Sequence, residues 1–167
     1  MRERTCCFTG HRDLQPDCRE EIAEKLEETI ARLVQDGIQV YKTGGALGFD
    51  TLAAQTVLRI KEKHPQIKLS LVLPCLTQTR GWTEADVKEY ERIRERADEV
   101  VYTSREYVRG CMFKRNRSLV DNSSICVCWL TRSTGGTAYT VKYAIKQGLK
   151  IINLFSPQTA QNQSNLL

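Results

Sequence analysis

Thr43-Gly44-Gly45-Ala46-Leu47-Gly48-Phe49-Asp50 lies between an apolar run, Ile38–Lys42, and a run with helical spacing, Thr51–Lys63. The same grammar recurs at Ser133-Thr134-Gly135-Gly136-Thr137, between apolar Ile125–Leu130 and helix-patterned Ala138–Gln147. A strand that feeds a helix through a glycine turn brings the helix N-terminus, with unpaired N–H groups and partial positive charge, to the end of the strand, where phosphate groups bind. Two such turns imply an α/β sheet with a nucleotide-type site.

Outward from these turns the alternation continues in both directions. Thr5–Thr9 reads as a first strand ending in Gly10-His11-Arg12. Asp17-Cys18-Arg19-Glu20 has the spacing of a capping box, and the helix after it carries Ile22, Leu26, Ile30 and Leu33 and stops at Gly37. Ile67–Leu73 is a third strand. Thr83 caps a charged helix that runs through about Ala97, and Glu99–Tyr102 is a fourth strand. Phe113–Asn122 reads as helix, and Lys150–Leu154 as a sixth strand. Strands alternating with helices predict a Rossmann-like, doubly wound, mostly parallel sheet with helices on both faces. Ile125–Leu130 is apolar at every position, as a central strand requires.

The chain has 167 residues, which suits one domain, expected over 1–155, with a disordered Gln-, Asn- and Ser-rich tail over 156–167. Its 25 Lys+Arg and 20 Asp+Glu give +5, but both signs are interspersed, which describes solvated helix faces rather than a nucleic-acid stripe. Seven cysteines without metal-ligand spacing predict no metal site and read as reduced, buried thiols, hence a cytoplasmic protein. No stretch approaches the roughly 18–20 apolar residues of a membrane span.

The loops after strands one, two, three and five converge on one sheet edge. They carry Gly10, His11 and Arg12; Gly44, Gly45, Gly48 and Asp50; Gln78 and Trp82; and Gly135, Gly136 and Thr137. Backbone amides of the glycine turns suit phosphate, Arg12 suits bidentate pairing with it, Trp82 offers a stacking face for a base, and Asp50 a ribose contact. Neither standard fingerprint is present: no Lys precedes Ser or Thr in Gly44–Thr51, and Gly-Gly-x-x-Gly is not Gly-x-Gly-x-x-Gly.

Phe8-Thr9-Gly10-His11-Arg12, Gly44-Gly45-Ala46-Leu47-Gly48-Phe49-Asp50, Pro74 with Gln78, Trp82 and Tyr90, Arg115-Asn116 with Asp121, and Gly135-Gly136-Thr137-Ala138, in this order, resemble the motifs of the YpsA-like family of the SLOG superfamily. The superfamily also holds the Lonely Guy phosphoribohydrolases and the DNA-processing protein DprA. The resemblance implies a nucleotide or nucleotide-derived ligand, related to NAD or ADP-ribose; with Thr140 where the related hydrolases carry their catalytic Glu, sensing is expected over catalysis, with no cofactor required. It adds Arg115 and Asn116 to the binding set and implies homo-oligomers.

Two alternatives follow from the same relatives. The hydrolases continue from a Met-x-x-Arg motif, matched by Met112–Arg115, into Pro-Gly-Gly-x-Gly-Thr-x-x-Glu, but here the position of their catalytic Glu is Thr140. An N-glycosidic hydrolase therefore needs a substitute carboxylate, Asp50 or Asp121, with Arg115 assisting. Ser133–Leu149 is similar to the matching stretch of DprA, which binds single-stranded DNA. Arg105, Arg109, Lys114, Arg115 and Arg117 with Tyr107 and Phe113 supply the residue types of a strand-binding groove, although the favoured reading makes about half of them helix-surface charges and Phe113 core.

Overall fold

A computed structural model describes residues 1–157. The predicted tail residues from 158 onward lie outside the described residues. Six parallel strands form one sheet in the order β4-β3-β2-β1-β5-β6. They are β1 (Thr5–Gly10), β2 (Val40–Thr43), β3 (Lys68–Leu73), β4 (Glu99–Tyr102), β5 (Ile125–Trp129) and β6 (Lys150–Asn153). The connecting helices are α1 (Arg19–Gln35), α2 (Phe49–Lys61), α3 (Glu84–Arg96), α4 (Cys111–Asp121) and α5 (Gly136–Lys146). This is the α/β Rossmann-like architecture that the alternation predicts.

Burial follows from strand parity. Phe8, Tyr41, Leu69 and Leu71 point to the side covered by Ile22, Leu26 and Ile30 of α1, Phe49, Ala53 and Val57 of α2, and Tyr90 and Ile93 of α3. Cys7, Val72, Cys126 and Cys128 point the other way, beneath Leu119 and Val120 of α4 and Val141 and Ala144 of α5. The buried thiols act as small hydrophobes, and burial pushes those of Cys6 and Cys128 up. That of Cys126 is raised by its hydrogen bond with Cys7 and then by burial.

Some local expectations need correction. Asp17 lies within a 3₁₀ turn, Pro16–Cys18, so α1 starts at Arg19 with no side-chain cap and the capping box does not form. Thr83, by contrast, caps α3 by accepting from the Asp86 amide at 3.2 Å. Helices α2, α4 and α5 start two residues earlier than their periodicity suggests, because glycines at 48, 110 and 135 stand at their N-caps in conformations with positive φ.

The strand order reverses beside β1. Chain connections pass through β2, β3 and β4 on one side and return to β5 and β6 on the other. At such a switch point the flanking loops part and leave a crevice at the carboxyl ends of the strands.

Candidate functional site

The crevice at this switch point is a cleft of about 300 Å³. Its floor is the end of β1, Phe8 to Gly10, and its walls are His11, Arg12 and Asp13 on one side and Met112, Arg115 and Asn116 of α4 on the other. Gly136 and Thr137 at the start of α5, Ala46 and Asp50 by the first glycine turn, and Arg132 complete it.

The two glycine turns do different jobs. In the first, a β-carbon on Gly44 would lie 2.5 Å from the Arg115 guanidinium, and one on Gly45 2.5 Å from Leu73. Gly48 has φ +76° and no room for a β-carbon against the Arg12 carbonyl, and Gly10 has none against the Phe49 ring. These glycines permit close packing of protein on protein. In the second turn nothing lies within 4 Å of a β-carbon on Gly135 or Gly136, and both residues are exposed. This open turn stands at the N-terminus of α5, where the first amides have no partner within the helix.

Arg115 is 5% exposed and held from several directions. Its Nη1 donates to the Gly44 carbonyl, its Nε to Asn116 Oδ1 at 2.8 Å, and its Nη2 to the Met112 sulfur at 3.8 Å. Burial pushes its pKa down, and the neighbouring Asp50 opposes that shift. Gln78, also buried, donates its amide to the same Gly44 carbonyl at 3.1 Å. Arg115, Asn116 and Gln78 thus brace the first turn, and of the three only Arg115 and Asn116 line the cleft.

Asp50 is the second residue of α2, beyond the N-cap Gly48, and its carboxylate accepts from the Ala46 amide at 3.2 Å. Burial raises its pKa, against the opposing influence of the Arg115 charge, the Ala46 amide and the Arg12 charge. It is a buried carboxylate at the cleft wall with two cations nearby.

His11 accepts a hydrogen bond from the Thr131 amide through Nε2 at 3.1 Å, and its own carbonyl accepts from the Phe49 amide at 3.2 Å. An accepting Nε2 makes the imidazole neutral with its proton on Nδ1. Burial and then the Arg132 charge hold its pKa below the usual value, consistent with that form.

Several predicted residues stand away from the cleft. Trp82 packs edge-on against Tyr90, ring centroids 5.5 Å apart, behind the first glycine turn, and is not a wall of the 300 Å³ cleft. Gly45 and Gln78 lie on that rear side too. Thr140 turns its hydroxyl back to the Gly136 carbonyl at 2.8 Å. Asp121 ends α4, two residues past Leu119, the last residue of that helix to line the cleft, and accepts from the Tyr143 hydroxyl at 2.7 Å. Phe113 is not core: it is 44% exposed and packs edge-on against Tyr139, centroids 4.7 Å apart. The sequence reading missed Arg132 and Asp13, whose charged groups approach to 3.6 Å at the cleft mouth. The position of Arg132 just ahead of the open glycine turn is the signal that would have found it.

Among the described residues no helix is long and apolar enough to cross a membrane. Among solved structures, the fold is similar to DNA processing protein A from Helicobacter pylori, described for its single-stranded DNA binding mode: TM-score 0.62 at 18% identity, covering 88% of this chain and 63% of that one. DprA from Streptococcus pneumoniae gives 0.63 at 14% identity, covering 88% of this chain and 48% of its own. The chain therefore spans less than two thirds of either DNA processing protein, and the likeness is one of fold. In sequence it is 32% identical over 129 residues to a UPF0398 protein of Halalkalibacterium halodurans, covering 75% of this chain and 68% of that protein. A UPF0398 protein of Bacillus thuringiensis is 31% identical over 130 residues, covering 76% and 71%. The sequence profile of the YspA SLOG family matches residues 7–153, and the chain belongs to that family.

Proposed function

We propose that the cleft binds a nucleotide or nucleotide-derived ligand of the NAD or ADP-ribose kind, and that the protein acts as a sensor of it rather than as a catalyst. The observation that carries this reading is the open Gly135-Gly136 turn at the N-terminus of α5, set across a switch-point cleft from Arg12 and beside Arg132. Amides at a helix N-terminus and convergent guanidinium groups are the two commonest means of holding phosphate. Gly136 and Thr137 supply the amide side, Arg12 and Arg132 the mobile cations, Arg115 a fixed one, and Asp50 a ribose acceptor. Trp82 has no part in the stack, since it lies behind the first turn.

Sensing is favoured over N-glycosidic hydrolysis by the carboxylates. Thr140 replaces the acid and is turned into its own helix, Asp121 does not line the cleft and accepts from the Tyr143 hydroxyl, and Asp50 is tied to the Ala46 amide.

A thermal-shift series with AMP, ADP, ATP, NAD, ADP-ribose and cyclic nucleotides tests the reading, with each bound ligand recovered and chromatographed. Stabilisation that rises with ligand concentration and returns intact ligand is expected. Cleaved ligand supports the hydrolase instead, and no stabilisation by any member refutes nucleotide binding.

A second reading, single-stranded DNA binding, is favoured by the exposed Phe113–Tyr139 pair, with Arg117 donating to the Tyr139 hydroxyl at 3.2 Å and Lys114 exposed alongside. Stacking faces beside cations are what a strand needs. Affinity for an oligonucleotide that falls steeply with salt, and falls again in Phe113→Ala, supports it; salt-independent binding counts against it.

A further inference from the structure

A second cavity, of about 570 Å³, lies on the other side of the β1–α1 loop and shares His11, Asp13 and Arg132 with the phosphate cleft. Its character is different. Leu14, Pro16, Trp129 and Phe155 form its walls, with Trp129 and Phe155 packed edge-on at 5.3 Å between centroids. Trp129 is only 5% exposed and Phe155 is half-buried, so a rigid aromatic corner is already in place. The partition between the cavities is the Asp13–Arg132 pair, 3.6 Å apart, with side chains 79% and 52% exposed. An exposed pair of this kind is weak and easily exchanges partners. Arg132 can therefore leave Asp13 for a ligand phosphate without disturbing the core. His11 beneath it is fixed by the Thr131 amide.

We infer that the two cavities are one divided site for a dinucleotide, with its diphosphate at the Asp13–Arg132 partition, one nucleoside in the cleft beside Asp50 and Gly136, and the second ring against Leu14, Trp129 and Phe155. The inference rests on the nucleotide reading above and narrows it. A mononucleotide uses the first cavity alone and leaves an apolar corner wet. A dinucleotide covers that corner with a flat ring and places its bridging negative charge where Arg12 and Arg132 reach it. The apolar walls of the second cavity disfavour a further phosphate there, because burying an uncompensated charge is costly.

The test is titration calorimetry with AMP, ADP, NAD and diadenosine diphosphate on the wild-type chain and on Gln15→Trp. Gln15 is an exposed residue that lines the second cavity and not the first, so an indole introduced there is directed at the second ring's space alone. ADP controls for the second phosphate. Expected is at least about tenfold tighter binding of both dinucleotides than of ADP, reduced to within about twofold in Gln15→Trp while AMP and ADP are unchanged. Dinucleotides that bind no tighter than ADP overturn the divided site and leave the nucleotide reading standing. A dinucleotide advantage that survives Gln15→Trp overturns the placement of the second ring. Failure of all four ligands to bind the wild-type chain overturns both.

Discussion

The Arg115 guanidinium donates to the main-chain carbonyl of Gly44, two residues that lie on α4 and on the turn after β2, and it fills the space a β-carbon on Gly44 would need. The contact ties the two halves of the sheet edge together and holds a buried charge by hydrogen bonds to groups on three residues. Gly44→Ala must displace either the guanidinium or the turn. A loss on the order of 1–3 kcal/mol is expected from such overpacking, read as a lower urea midpoint with unchanged slope. An unaltered midpoint would show that Arg115 moves aside at no cost.

The second glycine turn gives the opposite expectation. Gly136 is the first residue of α5 with open space around it, so Gly136→Ala meets no clash and restricts the unfolded chain. Stability unchanged or raised by about 0.5 kcal/mol is expected, together with at least a several-fold loss of nucleotide affinity as the methyl group crowds the amides. Affinity equal to the wild type's would remove Gly136 from the phosphate contact.

That contrast marks how far the sequence could be read. Strand and helix order was legible because the apolar runs and the charged helices have clear periods, whereas the sheet order rests on the single return from β4 to β5 across β1, which no local pattern encodes. The site was legible as a set of loops, because parallel strands deliver their loops to one edge. Which glycines face a ligand was not legible: Gly44 and Gly136 look alike in sequence, and they differ only in that Arg115, 71 residues from Gly44, fills the space above it. That Trp82 stands behind the first turn was not legible for a similar reason, since its partner Tyr90 is a helix residue whose facing depends on where α3 packs. Phe113 follows apolar Cys111 and Met112 and reads as core, yet it lies on the outer side of α4 because Leu119 and Val120 take the inner one.

Asp50 carries a stability cost that its placement explains. Burial raises its pKa, so the folded state binds a proton more readily than the unfolded chain does, and the associated stability is fully present below the ordinary carboxylate range and lost as pH rises through the folded value. Asp50→Asn keeps an acceptor for the Ala46 amide and removes the charge. The variant is expected to melt higher than wild type by about 2–4 °C at pH 7, with the difference shrinking towards pH 4, and to bind nucleotide about tenfold more weakly. A variant that melts lower at every pH would show that the Arg115 and Arg12 charges outweigh burial.

His11 supplies the reverse pH dependence. Its pKa is held below the ordinary value of about 6.5 by burial and by Arg132, while its Nε2 must stay unprotonated to accept from the Thr131 amide. Between the folded and the unfolded values the unfolded chain binds the extra proton. The contribution of His11 is therefore complete above about pH 6.5, declines as pH falls, and is gone below the folded value. His11→Gln offers the same amide a carbonyl acceptor that does not titrate. Urea midpoints measured from pH 7.5 to 5 should fall more steeply for wild type than for His11→Gln, with the two curves converging in slope at the alkaline end. Parallel curves throughout would assign the acid sensitivity to other groups.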